Sequence, residues 1–395
     1  IGGFVDIGEL VAATQIGARF AMSLAWVIPL SVIGIILYAE MSGRVAAVSQ
    51  RPVFDVIRHR MGPSLALVNL LASFLVTLLT LAAEIGGVAI AVQLATSINY
   101  LLWIPIVGFL VWFVIWKLNF ELMENLFGIL GLTLFAALVT VMRVHPHWAP
   151  IAHQVLHPAI PSTEGPAMYW YFAVAMFGAG IMPYEVFFFS SGAIEDGWTA
   201  KDLMIERINV YLGFPIGGLL TLTLMLGASL VLGPRNIQVS DLSTAALPTM
   251  LVVGKLGLAT LLLGFFACTF GAALETSTSC GYTVAQFFGW QWGKFVRPTK
   301  DGRFHLVMLL SIAFGSILVL TTIDPVKLTE FVIVLSAAAL PLTYFPVLIV
   351  ANDRAYMKDK VNSSLTNFIA TVYLFVVVVA GLAAIPLMII TKGGG

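Results

Sequence analysis

The chain has 395 residues, of which 59% are hydrophobic and only 10% charged, and its mean hydropathy is +0.98. A water-soluble domain does not tolerate that composition, and 20 basic residues against 20 acidic ones leave no cationic excess for nucleic acid. The expected class is an all-α polytopic membrane protein.

About 20 apolar residues cross a bilayer, and on that rule eleven segments are read. The first, residues 4–16, is short, and just ahead of its helix Val5-Asp6-Ile7-Gly8-Glu9 sets a glycine between two acids. Because Ile1 already lies in an apolar stretch and no cleavable signal peptide is visible, residues are expected ahead of it. Segments two to five cover residues 22–41, 64–95, 101–116 and 122–142, with an interfacial amphipathic piece from Arg51 to Arg60. A hydrophilic loop follows at 145–165, and its four histidines are read as solvated.

Segment six, residues 168–192, contains Gly178-Ala179-Gly180-Ile181-Met182-Pro183-Tyr184-Glu185. Two glycines, a proline and a carboxylate inside one apolar run mark a broken helix, whose freed carbonyls need protein, water or an ion as partner. The run from Glu195 to Arg207 reads as a solvated connection. Segments seven and eight cover 210–232 and 247–288, the latter too long for one span, so that part of it projects or bends. Segments nine to eleven cover 306–322, 331–350 and 368–390. Cys268 and Cys280 share one segment, about 18 Å apart along a helix, which is beyond disulfide reach. They are read as packing residues.

Lys and Arg test the count, because they accumulate on the cytoplasmic side. With the N-terminus inside, Arg44, Arg51, Arg58, Arg60, Lys117, Lys201, Arg207, Lys294, Arg297, Lys300, Arg303, Arg354, Lys358 and Lys360 fall inside, fourteen against six outside. Segments one to five then cross in the opposite sense to six to ten. This is the inverted repeat of a secondary transporter, in which the first helix of each half is interrupted and binds the substrate. Asp6, Glu9 and Glu185 at the two breaks are too costly in a bilayer to stand without a cation, a proton or a basic partner.

On these motifs the chain resembles the NRAMP divalent-metal transporters. Their first helix carries D-P-G-N and their sixth M-P-H-N, where this chain has Asp6-Ile7-Gly8-Glu9 and Met182-Pro183-Tyr184-Glu185. Gln15-Ile16-Gly17-Ala18, Ser23-Leu24-Ala25-Trp26, Ala83-Glu84-Ile85-Gly86 and Leu340-Pro341 with Pro346 also look like family landmarks. The resemblance implies a LeuT-type fold: a 5+5 inverted repeat (1–143 and 167–351) plus one further helix (364–391), with discontinuous helices 1 and 6. It also implies metal ligation by Asp6, Glu9, the Ala179 carbonyl and Met182. Glu185 is an added acid at the site, and Glu84, Tyr184 and Glu275 are candidates for proton handling or for supporting the ligands.

The departures are chemical. Asparagine of the family becomes Glu9 and Glu185, the two family histidines of helix 6 fall at Tyr184 and Phe189, and an acid of helix 3 falls at Leu81. The usual proton route is therefore missing. A thioether suits softer transition ions and carboxylates suit harder ones, so the expected substrate is Mn²⁺ or Fe²⁺, then a trivalent ion, then Mg²⁺. An organic-solute symporter and a non-transporting sensor are the other readings. An enzyme is not expected, since no nucleophile, base and oxyanion set can be assembled. The resemblance further implies a monomer in a bacterial inner membrane, with the metal ion as substrate and no cofactor.

Overall fold

The computed structural model describes residues 5–117, 120–294, 296 and 302–394. The expected start of segment one at Phe4, any helix ahead of Asp6, and Arg297 and Lys300 of the charge count lie outside these residues. Every regular element is helical. In chain order they are α1 (Ile7–Phe20), α2 (Val27–Ser49), α3 (Val53–Met61), α4 (Pro63–Thr96), α5 (Tyr100–Lys117), α6 (Phe120–Gly131), a 3₁₀ turn, α7 (Ala136–Val144) and α8 (Trp148–Leu156). The second part of the chain holds α9 (Pro166–Ala179), α10 (Pro183–Glu195), α11 (Leu203–Val231), α12 (Leu242–Val253), α13 (Lys255–Phe288), α14 (Gly302–Leu320), α15 (Pro325–Ala351), α16 (Arg354–Met357) and α17 (Ser364–Ile390).

Among the described residues ten helical stretches are long and apolar enough to cross a membrane. The first of the eleven expected segments, α1, has 14 residues and falls short by length, yet most of it is buried. Three readings change. The overlong eighth segment divides at Gly254, whose φ of 82° ends α12 and starts α13. The hydrophilic loop carries the nine-residue helix α8. Glu206, expected in a solvated connection, is fully buried in the first turn of α11, because Gly43 of α2 leaves room for its carboxylate.

The packing is that of two equivalent halves. Match α1, α2, α4, α5 and α6–α7 in order with α9–α10, α11, α13, α14 and α15, and the helix contacts exchange among themselves. α1 packs on α11 as α10 packs on α2, α4 on α14 as α13 on α5, α4 on α15 as α13 on α6, and α2 on α15 as α11 on α7. The two 34-residue helices α4 and α13 lie against each other across the exchange. Polar contacts between loops respect two faces. Arg60 pairs with Asp353, Arg44 Nη1 donates to the Lys360 carbonyl (2.5 Å) and Gln50 Nε2 to the Trp198 carbonyl (2.8 Å), all at one end. Arg19 pairs with Glu164 (2.5 Å) at the other. The surface of the helix bundle is apolar, with Leu102, Leu256, Leu382 and Ile389 among its exposed side chains, as a lipid-facing surface requires. The protein is an integral membrane protein with multiple transmembrane helices.

Candidate metal site

The break in segment six is built by proline chemistry. α9 ends at Ala179 and α10 starts at Pro183, which has no N–H to give the Ala179 carbonyl. The Met182 N–H, which would close the next turn back, donates instead to Glu185 Oε2 at 2.7 Å. Glu185, the third residue of α10, thus closes a capping box on the N-cap residue Met182, a task that its sequence position did not announce. The Ile181 carbonyl accepts from Ser336 Oγ of α15 at 3.5 Å.

The start of α1 is organised similarly. Asp6 caps the helix by accepting from the Glu9 N–H at 3.0 Å. Glu84 Oε1 of α4 accepts from the Ile7 N–H at 3.1 Å, so an acid from another helix holds a first-turn amide of α1. Both termini therefore present helix N-terminal dipole ends that carboxylates already occupy.

These two starts face each other. A β-carbon on Gly8 would stand 3.0 Å from Asp6 Oδ1 and 3.6 Å from the terminal methyl carbon of Met182, so both side chains lie on the same side of Gly8. One on Gly180 would stand 3.3 Å from Glu9 Oε1 and 2.7 Å from Ser31 Cβ. Asp6, Glu9, Ala179, Met182, Tyr184, Glu84 and Glu185 are all buried, while Glu275 is partly exposed. Neither oxygen of Glu9, nor Glu84 Oε2, nor the Tyr184 hydroxyl has a hydrogen-bond partner among the described residues. None of Asp6, Glu9, Glu84 and Glu185 pairs with Lys or Arg there. Buried carboxylates of this kind cost several kcal/mol each unless a cation or proton accompanies them.

The described residues contain no group of three or more His, Cys, Asp or Glu side chains arranged to hold a metal by themselves. A cation at this point would therefore need donors of other kinds, and the thioether and the freed carbonyls are those within the break. Two further residues shape it that sequence reasoning passed over. Thr80 Oγ1, one turn before Glu84 on α4, donates to Met182 Sδ at 3.7 Å, and Ile333 of α15 packs on Gly8. The sequence carried no signal for either contact.

Ile333 also lines a cavity of about 730 Å³ that opens at the Arg19 end of the molecule between α1, α9 and α15. Gln15, Glu164, Lys327 and Glu330 surround it, and Gln15 Nε2 donates to Glu330 Oε1 at 2.5 Å. This vestibule thus reaches Ile333, the residue that packs on Gly8.

A family model described as natural resistance-associated macrophage protein-like matches residues 2–386. The divalent metal cation transporter MntH of Aeromonas hydrophila is 24% identical over 391 residues, covering 97% of this chain and 92% of that protein. MntH of Staphylococcus saprophyticus is 24% identical over 389 residues, covering 93% and 85%. These relatives are transporters, not enzymes. A crystal structure of the Eremococcus coleocola manganese transporter superposes with a TM-score of 0.76 at 18% identity, covering 97% of this chain and 84% of that one. The nucleobase-cation-symport-1 family transporter Mhp1 follows with a TM-score of 0.61 at 16% identity and 99% and 91% coverage. The fold is accordingly LeuT-like, with the inverted halves that the helix contacts display. With the family model matched over nearly its whole length, the chain belongs to the natural resistance-associated macrophage protein family.

Proposed function

We propose that the protein imports a transition-metal cation, Mn²⁺ or Fe²⁺ first, by alternating access. The ion is held by Asp6, Glu9, the Ala179 carbonyl and Met182, with Glu185 adding negative charge while it caps α10. The halves 1–143 and 167–351 move around this point, and residues 364–391 stand outside the exchange. The N-terminus faces the cytoplasm of a bacterial inner membrane, so the vestibule faces outward. Glu84, Tyr184 and Glu275 surround the ion without ligating it.

The observation that carries this reading is the buried thioether of Met182, which accepts from Thr80 and lies with Asp6 on one side of Gly8. Sulfur is a donor that Mn²⁺, Fe²⁺ and Cd²⁺ can use and that Mg²⁺ gains little from. A trivalent ion is the second reading, favoured by the two unpartnered oxygens of Glu9. Ion-by-ion calorimetry on purified protein, paired with uptake into liposomes, tests both. Met182→Ala is expected to weaken Cd²⁺ and Mn²⁺ binding while sparing Mg²⁺. Equal loss for Cd²⁺ and Mg²⁺ would count against direct ligation by sulfur.

A further inference from the structure

Four of the six histidines, His145, His147, His153 and His157, lie on the segment between α7 and α9, and all four are exposed. Helix α8 carries His153, and His157 is the residue that ends it, with φ of −125° and ψ of 70°. Ile151 and Val155 pack its inner face against the apolar core, and Gln154 Oε1 accepts from the Met22 N–H at 3.4 Å where α1 turns toward α2. His153 and His157 follow each other by one turn on the solvent side, with ring centroids 4.8 Å apart and planes tilted by 45°.

That separation has chemical meaning. Two imidazoles that each give one nitrogen to a tetrahedral ion at about 2.0–2.1 Å place their centroids roughly 5 Å apart. The His157 N–H donates to the His153 carbonyl at 2.8 Å, so the pair keeps the one-turn spacing of histidine pairs that bind zinc in other proteins. Among the described residues neither ring has a hydrogen bond that would give it a structural task. The segment leads from α8 directly to Thr163 and Glu164, which line the vestibule.

We propose that His153 and His157 form a two-imidazole docking site for divalent transition-metal ions at the rim of the vestibule, ahead of the buried site. Imidazole nitrogen suits Zn²⁺, Ni²⁺, Cu²⁺ and Fe²⁺ and has little use for Mg²⁺ or Ca²⁺. The site raises the local concentration of borderline ions at the entrance and adds a first selection against hard ones. Its role in supply rests on the transport reading above, but its binding does not.

The test uses the full chain carrying Met182→Ala, so that loss of sulfur at the buried site leaves the outer pair readable. Ni²⁺ calorimetry is expected to find a site whose apparent affinity falls at least tenfold in His153→Ala/His157→Ala and is unchanged in His145→Ala/His147→Ala. Cu²⁺ bound to the Met182→Ala chain is expected to show nitrogen couplings in its paramagnetic resonance spectrum that vanish with the first pair and persist with the second. Unchanged Ni²⁺ affinity and unchanged couplings in His153→Ala/His157→Ala would overturn the proposal, as would loss of the site in the other double variant. All four histidines are exposed, so the variants are expected to fold as the parent does.

Discussion

Gly180→Ala is the sharpest probe of how tightly the two helix starts are joined. The backbone at Gly180 has φ of −79°, which alanine adopts freely, so the perturbation is steric and not conformational. The added carbon would lie 2.7 Å from Ser31 Cβ, 3.1 Å from Ser31 Oγ and 3.3 Å from Glu9 Oε1. Ser31 is buried in α2 and donates to the Val27 carbonyl at 3.1 Å, so it cannot swing away without losing that bond. Overpacking of this kind costs about 1–3 kcal/mol. If the displacement falls on Glu9 and the α9–α10 break, Cd²⁺ affinity drops roughly 5- to 150-fold. Calorimetry on Gly180→Ala measures the drop, and Ser31→Gly in the same chain removes the two nearest clashing atoms and should restore most of the affinity. Binding within twofold of the parent in Gly180→Ala, or no recovery in the double variant, would refute the reasoning.

Thr80→Val keeps the shape of the side chain and removes the donor to Met182 Sδ; a fall of about threefold to tenfold in Cd²⁺ affinity is expected from one lost hydrogen bond, with Mg²⁺ unaffected in the same titration. Glu84→Gln retains an oxygen for the Ile7 N–H and is expected to preserve the melting temperature better than Glu84→Leu, which leaves that amide unsatisfied; equal melting of the two variants would remove the capping role. The family's histidines are replaced by Tyr184 and Phe189 in this chain, so Mn²⁺ uptake into proteoliposomes at fixed potential is expected to proceed without internal acidification. Robust acidification abolished by Glu185→Gln would make Glu185 the proton carrier. At the surface, the Ala355 N–H and Arg60 hold the Asp353 carboxyl below its usual range. A lowered value contributes stability above the ordinary carboxyl pKa that is lost as pH falls through the folded one. The small melting difference between the parent and Asp353→Asn should therefore stay flat from pH 8 to 5 and vanish only below about pH 4.

What could be read from the sequence was set by contrast. Asp6-Ile7-Gly8-Glu9 and Gly178 to Glu185 stand out because proline, glycine and carboxylates interrupt runs that are otherwise uniformly apolar, and Asp6 and Met182 both lie beside Gly8. The Arg60–Asp353 and Arg19–Glu164 pairs each join segments that the charge count places on the same side. Thr80 was not readable: a threonine in an apolar helix ordinarily bonds its own i−4 carbonyl, as Thr80 also does to Val76 at 2.8 Å, and only the neighbour across the interface reveals its second contact. Nor was the capping by Glu185, since an acid three residues past a break looks the same whether it serves an ion or an amide. Glu206 was misread because charge in sequence resembles solvation, whereas the small residue that admits it, Gly43, lies on another helix.

Ile333 lines the vestibule and packs on Gly8 beside Asp6, and on the transport reading that placement bears on rate more than on affinity. Such a side chain offers a passing ion no oxygen to exchange for its water, so the hydration shell must be loosened before the carboxylates can replace it. Ions differ in how reluctantly they dehydrate, and Mg²⁺ is among the slow ones. If ions pass this way, as the proposed function has it, the isoleucine would sort them by the speed at which they shed water, a discrimination that equilibrium titration of the site beneath it would not register.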